Sequence, residues 1–354
     1  MSNKTASLNE NQVGTRDAIL DNIRGLFVLM FLTLHSFWTM DISYEIPLFF
    51  RHAETMDQVR IAWWGFNLID LAPITFIFFM GYIIYSVFIR KYERLGKRAF
   101  HDHIVRYLAM NGLFLTAIFF KWRLTGNNDG WSFMCDVMTT ALLLTPFLTR
   151  PFRESTVAKF IAGVALLVIY WLFREPLIQY LGAPKPHLGG GIGPCIGYTG
   201  IALLSAGLGD LMRKRPAYYF AGVAALYIAG LLCTRIFAPM ENLVSTEGIL
   251  LTGVWTYSVF WMVGGLSKVF IIFTILWAIC KYLFKSRRIW GIATIGRNLL
   301  LYMLAALLIM GIQMVWIPQK PISIGLSVKY VLLIYAFCFA LTVPLEKYNV
   351  TFKL

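Results

Sequence analysis

The chain has 354 residues, of which 58% are hydrophobic and 14% charged, and its mean hydropathy is +0.66. That is more apolar surface than a water-soluble domain can cover, so the composition excludes an ordinary soluble globule and requires lipid as a solvent. The net charge of +14 does not point to nucleic acid either, because the basic residues sit between apolar runs and not together on one polar segment.

Residues 1–15 are polar and read as a cytosolic tail. The tail contains Glu10 and Asn11, has no small-residue cleavage site and leads into an apolar segment of full spanning length. The first span is therefore expected to remain as an anchor and not to be removed as a signal peptide. From residue 16 to 354 the apolar runs recur without a separate polar module, which predicts one membrane-embedded domain.

At about 20 apolar residues per crossing, spans are expected near 19–40, 67–89, 104–122, 133–149, 157–173, 195–212, 217–236, 267–284, 292–315 and 325–344. The predicted fold class is thus all-α, a polytopic transmembrane helical bundle of about ten spans. The stretch 248–266 is apolar but interrupted by Gly253, Gly264 and Gly265, and it is expected to be re-entrant or interfacial.

Basic residues mark alternate loops: Arg90, Lys91, Arg94, Lys97 and Arg98; then Arg150 and Arg153; then Arg213, Lys214 and Arg215; then Lys285, Arg287 and Arg288. The positive-inside rule puts these loops and both termini in the cytosol, most simply at a bacterial plasma membrane. No internal repeat and no matched pair of Gly/Pro-broken helices is visible, so the usual mark of a secondary transporter is missing. The five cysteines lack CxxC or metal-ligand spacing, and no metal is predicted.

Ionisable residues inside a span are costly and tend to mark a site. On the first helix Arg24, Val28, Phe31 and His35 share one face, and the rise from Arg24 to His35 is about 16 Å. A cation near the cytosolic side and an imidazole near the outer side thus lie on one stripe. The alternative is that Arg24 snorkels to lipid phosphates while His35 is a satisfied helix-end residue.

Asp70 and Pro73 follow Trp63 and Trp64 just inside the outer boundary of the second span, where an acid beside external histidines can orient an imidazole. A merely hydrated carboxylate is the other reading. His52, in the outer loop beside Arg51 and Glu54, is by itself an ordinary solvated histidine. His101 and His103 fall in the first basic loop, where they are either solvated or close enough to assist a coenzyme phosphate. His187 precedes Gly189, Gly190 and Gly191 in an outer loop that either lines an acceptor mouth or turns the chain. Arg297 and Asn298 open the ninth span, with Tyr302 one turn on. Arg297 meets a nucleotide phosphate or satisfies the positive-inside rule.

Four local patterns occur in order. They are Asp21-x-x-Arg24-Gly25 with His35 closing the helix, His52-Ala53, Trp63 through Asp70-Leu71 and Pro73 to Met80-Gly81, and Trp255-Thr256-x-Ser258 followed by Gly296-x-Asn298 and Tyr302. The set resembles the transmembrane acyltransferase superfamily, in particular the heparan-α-glucosaminide N-acetyltransferase-like branch, which is related to the acyltransferase-3 family. The likeness is best over the first two spans, moderate near the end and slight in the middle.

The resemblance implies an acyl-CoA donor, with acetyl-CoA first, entering from the cytosol. It also implies a glycan or glycolipid acceptor bound from outside and an outer-face histidine that carries or activates the acyl group. That histidine maps to His52 in one branch and to His35 in the other, with Asp70 orienting it. Arg24, Arg297 and Asn298 are the expected donor-binding residues. The expected partners are the lipid bilayer, the acceptor and a second copy in a homodimer; nucleic acid is not among them. Keeping the same polar stripe as a path, a transporter or exporter of a lipid-linked or small anionic substrate is the competing class.

Overall fold

The computed structural model describes residues 18–39, 71–125, 133–181, 192–236, 259–299 and 324–348, with isolated positions between 301 and 309. All regular structure among them is helical, and there is no strand among the described residues. In chain order the helices are α1 (Ala18–Thr39), α2 (Ala72–Leu95), α3 (Arg98–Thr125), α4 (Phe133–Leu143), α5 (Arg150–Glu154) and α6 (Thr156–Leu181). They continue with α7 (Ile192–Lys214), α8 (Pro216–Ile236), α9 (Val259–Ala278), α10 (Ile292–Arg297) and α11 (Ile324–Lys347).

Six helical stretches are long and apolar enough to cross a membrane, lying in α2, α3, α6, α7, in α9 with the turn that follows it, and in α11. With six such stretches, and with all regular structure among the described residues helical, the chain is an integral membrane protein by length and composition.

Helix α7 is the hub. Every residue from Gly197 to Asp210 is buried, so no face of it meets lipid, and it packs against α6, α2, α4 and α8. A helix that is apolar on every side is stable only in such a central position. Phe78, Phe79 and Tyr82 of α2 mesh with Phe270 and Phe273 of α9, with Phe78 and Phe270 ring centroids 4.7 Å apart. The outer surfaces of α3, α6, α8 and α11 expose Phe120, Leu172, Leu232 and Leu333, the side chains that lipid would cover.

Helix α4 is shorter than the expected span 133–149. Thr145 precedes Pro146, whose ring disfavours the α conformation before it and which brings no N–H to the ladder; the chain tightens there into the 3₁₀ turn Thr145–Leu148. At eleven residues the helix rises about 16 Å, roughly half the hydrocarbon thickness.

The region around Gly264 and Gly265 also differs from expectation. Residues 259–266 are not a separate re-entrant element, because they form one continuous helix with residues 267–278, and only 248–258 lie outside the described residues. A Cβ on Gly230 of α8 would come within 3.0 Å of the Gly264 Cα. The glycine therefore serves a close helix crossing, a normal use inside membranes, and does not break the helix.

The four basic loops gather at one end of the bundle. The Arg153 guanidinium lies 4.2 Å over the Tyr92 ring, tying α5 to the end of α2. Buried Lys159 of α6 pairs with Asp210 of α7, which also accepts from Arg213 at 2.8 Å and from Thr156 at 3.2 Å. The Asn22 amide of α1 donates to the Arg287 carbonyl at 2.9 Å and accepts from the Ile289 N–H at 3.0 Å.

Candidate functional site

At this basic end α1 and α10 cross at van der Waals distance. A Cβ on Gly25 would stand 2.0 Å from the Ile292 carbonyl oxygen, and one on Gly296 would stand 1.8 Å from the Asp21 carbonyl oxygen. Only glycine fits either place, and the two face each other across one crossing. The approach brings the first and last sequence patterns together around Asp21, which is 3% exposed. Its carboxylate lies 3.6 Å from Arg24 Nη1 and 3.8 Å from Arg297 Nε. Buried Asn298 ends α10, with its side-chain amide donating to the Thr294 carbonyl at 3.1 Å and its own carbonyl accepting from the Tyr302 N–H at 3.2 Å. One carboxylate thus faces two guanidinium groups at the crossing.

Arg24 also faces a cavity of about 150 Å³ between α1, α2, α3 and α4. One face of α2 lines its length from Phe76 to Lys91, a rise of about 22 Å. The walls are mostly phenylalanine, isoleucine and methionine, with Met80, Met110, Met134 and Met138 contributed by three helices. The polar lining collects where α2 ends and α3 begins: Lys91, His103, Arg106 and Tyr107, with Arg24 from α1. The cavity is therefore amphipathic along its axis, cationic at one end and apolar along the rest.

The basic side chains there are held in different ways. Lys91 Nζ is 3.2 Å from the Asp102 carboxylate. Buried His103 has Nε2 2.9 Å from the Ala141 carbonyl, one of the last four carbonyls of α4, which no helical N–H reaches. A carbonyl can only accept, so Nε2 carries the hydrogen of this contact. Phe88 and Tyr107 hold the ring by edge and tilted contacts, with centroids at 6.0 and 4.7 Å. Arg106 Nη2 is closed off from solvent and has no hydrogen-bond partner among the described residues.

Of the residues expected from sequence, Arg24, Arg297 and Asn298 come together at the α1–α10 crossing. Of these three, only Arg24 lines the cavity. His35 lies in the last turns of α1, and its side chain is outside the described residues. His52 and Asp70 fall outside the described residues altogether, as do Trp63, Trp64, His187 and the Trp255–Ser258 segment.

Several charged residues inside helices belong to no sequence pattern: Lys159 and Asp210, which pair with each other, Asp136, Arg106 and Lys268. Arg106 stands inside the expected span 104–122, and Lys268, 4% exposed, lies mid-helix in α9. Both carry the signal of a cation within an apolar run. Lys268 was masked because the span was expected to begin at 267, whereas α9 starts at Val259. The chain matches no known family model and no curated protein.

Proposed function

We propose that the chain is a membrane acyltransferase that moves an acyl group, acetyl first, from cytosolic acyl-CoA to a glycan or other hydroxyl or amine acceptor on the far side of the bilayer. The observation that supports this best is the cavity, with cations at one end and thioether and aromatic walls beyond. An acyl thioester has the matching polarity: anionic phosphates at one end and a slender, uncharged acyl-pantetheine arm at the other. The volume is below the roughly 300–1,000 Å³ of a site that encloses a drug-sized ligand. The arm alone would enter, and the nucleotide would stay outside against the basic loops.

In this reading the bundle has ten spans with both termini in the cytosol, and Arg24 and Lys91 meet the donor phosphates. Arg297 and Asn298 act through the α1–α10 crossing by fixing Arg24. His35, on the same stripe as Arg24 and about 16 Å further along α1, or His52 in the outer loop takes the proton of the acceptor hydroxyl or amine. Asp70 orients that imidazole. The acceptor oxygen or nitrogen bonds to the thioester carbonyl carbon, the C–S bond breaks, and the CoA thiolate leaves and takes up a proton. In the covalent variant the imidazole nitrogen is acylated first and passes the acyl group on.

The transporter reading asks for a polar path through the bundle, whereas the described cavity becomes apolar away from Arg24; that favours the enzyme. Incubating membranes that contain the protein with [¹⁴C]acetyl-CoA tests it. Label should appear in an externally exposed glycan or lipid, and His35→Ala or His52→Ala should abolish it. Wild-type protein that labels nothing, yet carries an anionic solute across liposomes without CoA, would sink the enzyme in favour of the transporter.

A further inference from the structure

Among the basic side chains around the cavity, the described residues give Arg24 a carboxylate at 3.6 Å, Lys91 a carboxylate at 3.2 Å and His103 a carbonyl at 2.9 Å. Among the described residues Arg106 has neither a carboxylate within ion-pairing distance nor, at the enclosed Nη2, any hydrogen-bond acceptor. It sits about 12 Å along α3 from Arg98, within a stretch apolar enough to cross a membrane, and it lines the cavity between Lys91 and the methionine-walled part. A lysine in that place could shed its proton; a guanidinium cannot, so its charge must be met by an anion. Its planar fork of donors is the shape that phosphate and carboxylate oxygens match in pairs.

We infer that Arg106 anchors the anionic group of the cavity's ligand, and that this ligand is a phosphate-type anion carrying a slender apolar tail. The anion lies at the step between the cationic end and the lumen, and the tail runs past Phe79, Met80, Ile83 and Met134. The inference rests on the donor reading in taking the ligand to be acyl-CoA, but the chemistry is shared by a phospholipid headgroup with its chain, and the two sources separate by experiment.

Calorimetry on protein in nanodiscs of neutral lipid would compare acetyl-CoA, octyl phosphate and the uncharged thioester S-acetyl-N-acetylcysteamine. Wild type should bind both anions. Arg106→Gln should weaken both by about 10- to 100-fold, the worth of a charge-assisted hydrogen bond, with Arg106→Lys in between. Binding of the neutral thioester should be the same in all three. Should Arg106→Gln fail to fold, Val137→Phe supplies the second readout: it narrows the lumen with the guanidinium in place and should weaken both anions.

Acetyl-CoA bound equally by wild type and Arg106→Gln overturns the anchor and leaves the acyltransferase reading standing. Octyl phosphate bound in an Arg106-dependent way, with acetyl-CoA ignored, upholds the anchor and overturns the CoA donor. Neither anion bound by wild type overturns the anchor, and both retained by Val137→Phe overturns the course of the tail through the lumen.

Discussion

The α1–α10 crossing and the α2–α3–α4 cavity lie side by side, share Arg24, and are built on opposite principles. At the crossing, glycine on each helix lets backbone touch backbone, and one carboxylate serves two guanidinium groups. In the cavity, flexible thioethers leave room, and one guanidinium has no acceptor at Nη2 among the described residues. Tight packing with paired charge is how a protein fixes an element in place, whereas space beside an unmet charge serves something that arrives from outside. The first and last of the sequence patterns thus meet at a joint, and the open space beside it is walled by Arg24 and Met80 from two of the patterns together with residues of α3 and α4 that belong to none.

If the difference is real, equal chemical changes should have unequal effects on the two sides. Gly296→Val puts carbon on the Asp21 backbone oxygen, which cannot move without separating the helices. We expect a loss of about 3 kcal/mol or more, seen as collapse of the thermal transition of the protein in detergent; a transition within a degree or two of wild type would break the comparison.

Asp21→Asn comes next, at about 3 kcal/mol by the same measurement, because it leaves two largely buried guanidinium groups without their shared counter-charge. Adding Arg297→Gln should recover part of the loss.

His103→Leu leaves the Ala141 carbonyl unpaired and should cost about 1–3 kcal/mol, with His103→Gln, which keeps a donor, milder. Val137→Phe adds bulk beside open space and should shift stability by less than about 1.5 kcal/mol. A shift as large as that of Gly296→Val would mean the cavity is as firmly packed as the crossing.

The division also marks what could be read before the fold was known. Helices α1, α7, α8 and α11 begin and end within a few residues of their expected places, because long apolar runs bounded by basic loops leave little choice in lipid, whereas α2 and α6 run past the ends expected at 89 and 173 to Leu95 and Leu181. The meeting of Asp21 with Arg297 could be suspected only as two patterns in order. The glycines that allow it look in sequence like any other glycine, since the atoms they avoid belong to a helix far along the chain. The same blindness made Gly264 and Gly265 look like a break in α9.

The cavity was less legible still. Its lining comes from four helices and Leu299 beyond α10, and Phe, Ile and Met at helical spacing on α2 cannot be told from ordinary core. Arg24 and Arg106, cations within apolar runs, are the lining residues whose sequence positions point to a site. His35, His52 and Asp70 rest on the sequence alone.

Asn22 waits for partners that lie 265 residues further along the chain, and Asp21 and Arg24 sit on the same turns. At about 5–20 residues per second of synthesis, roughly 15–50 s pass before the Arg287 carbonyl and Arg297 exist. For that time α1 must keep a carboxylate and a guanidinium at the edge of the bilayer with no help from α10. The i,i+3 spacing of Asp21 and Arg24 lets each neutralise the other meanwhile, so the pair that ends as half of a joint begins as a safe way to store two charges.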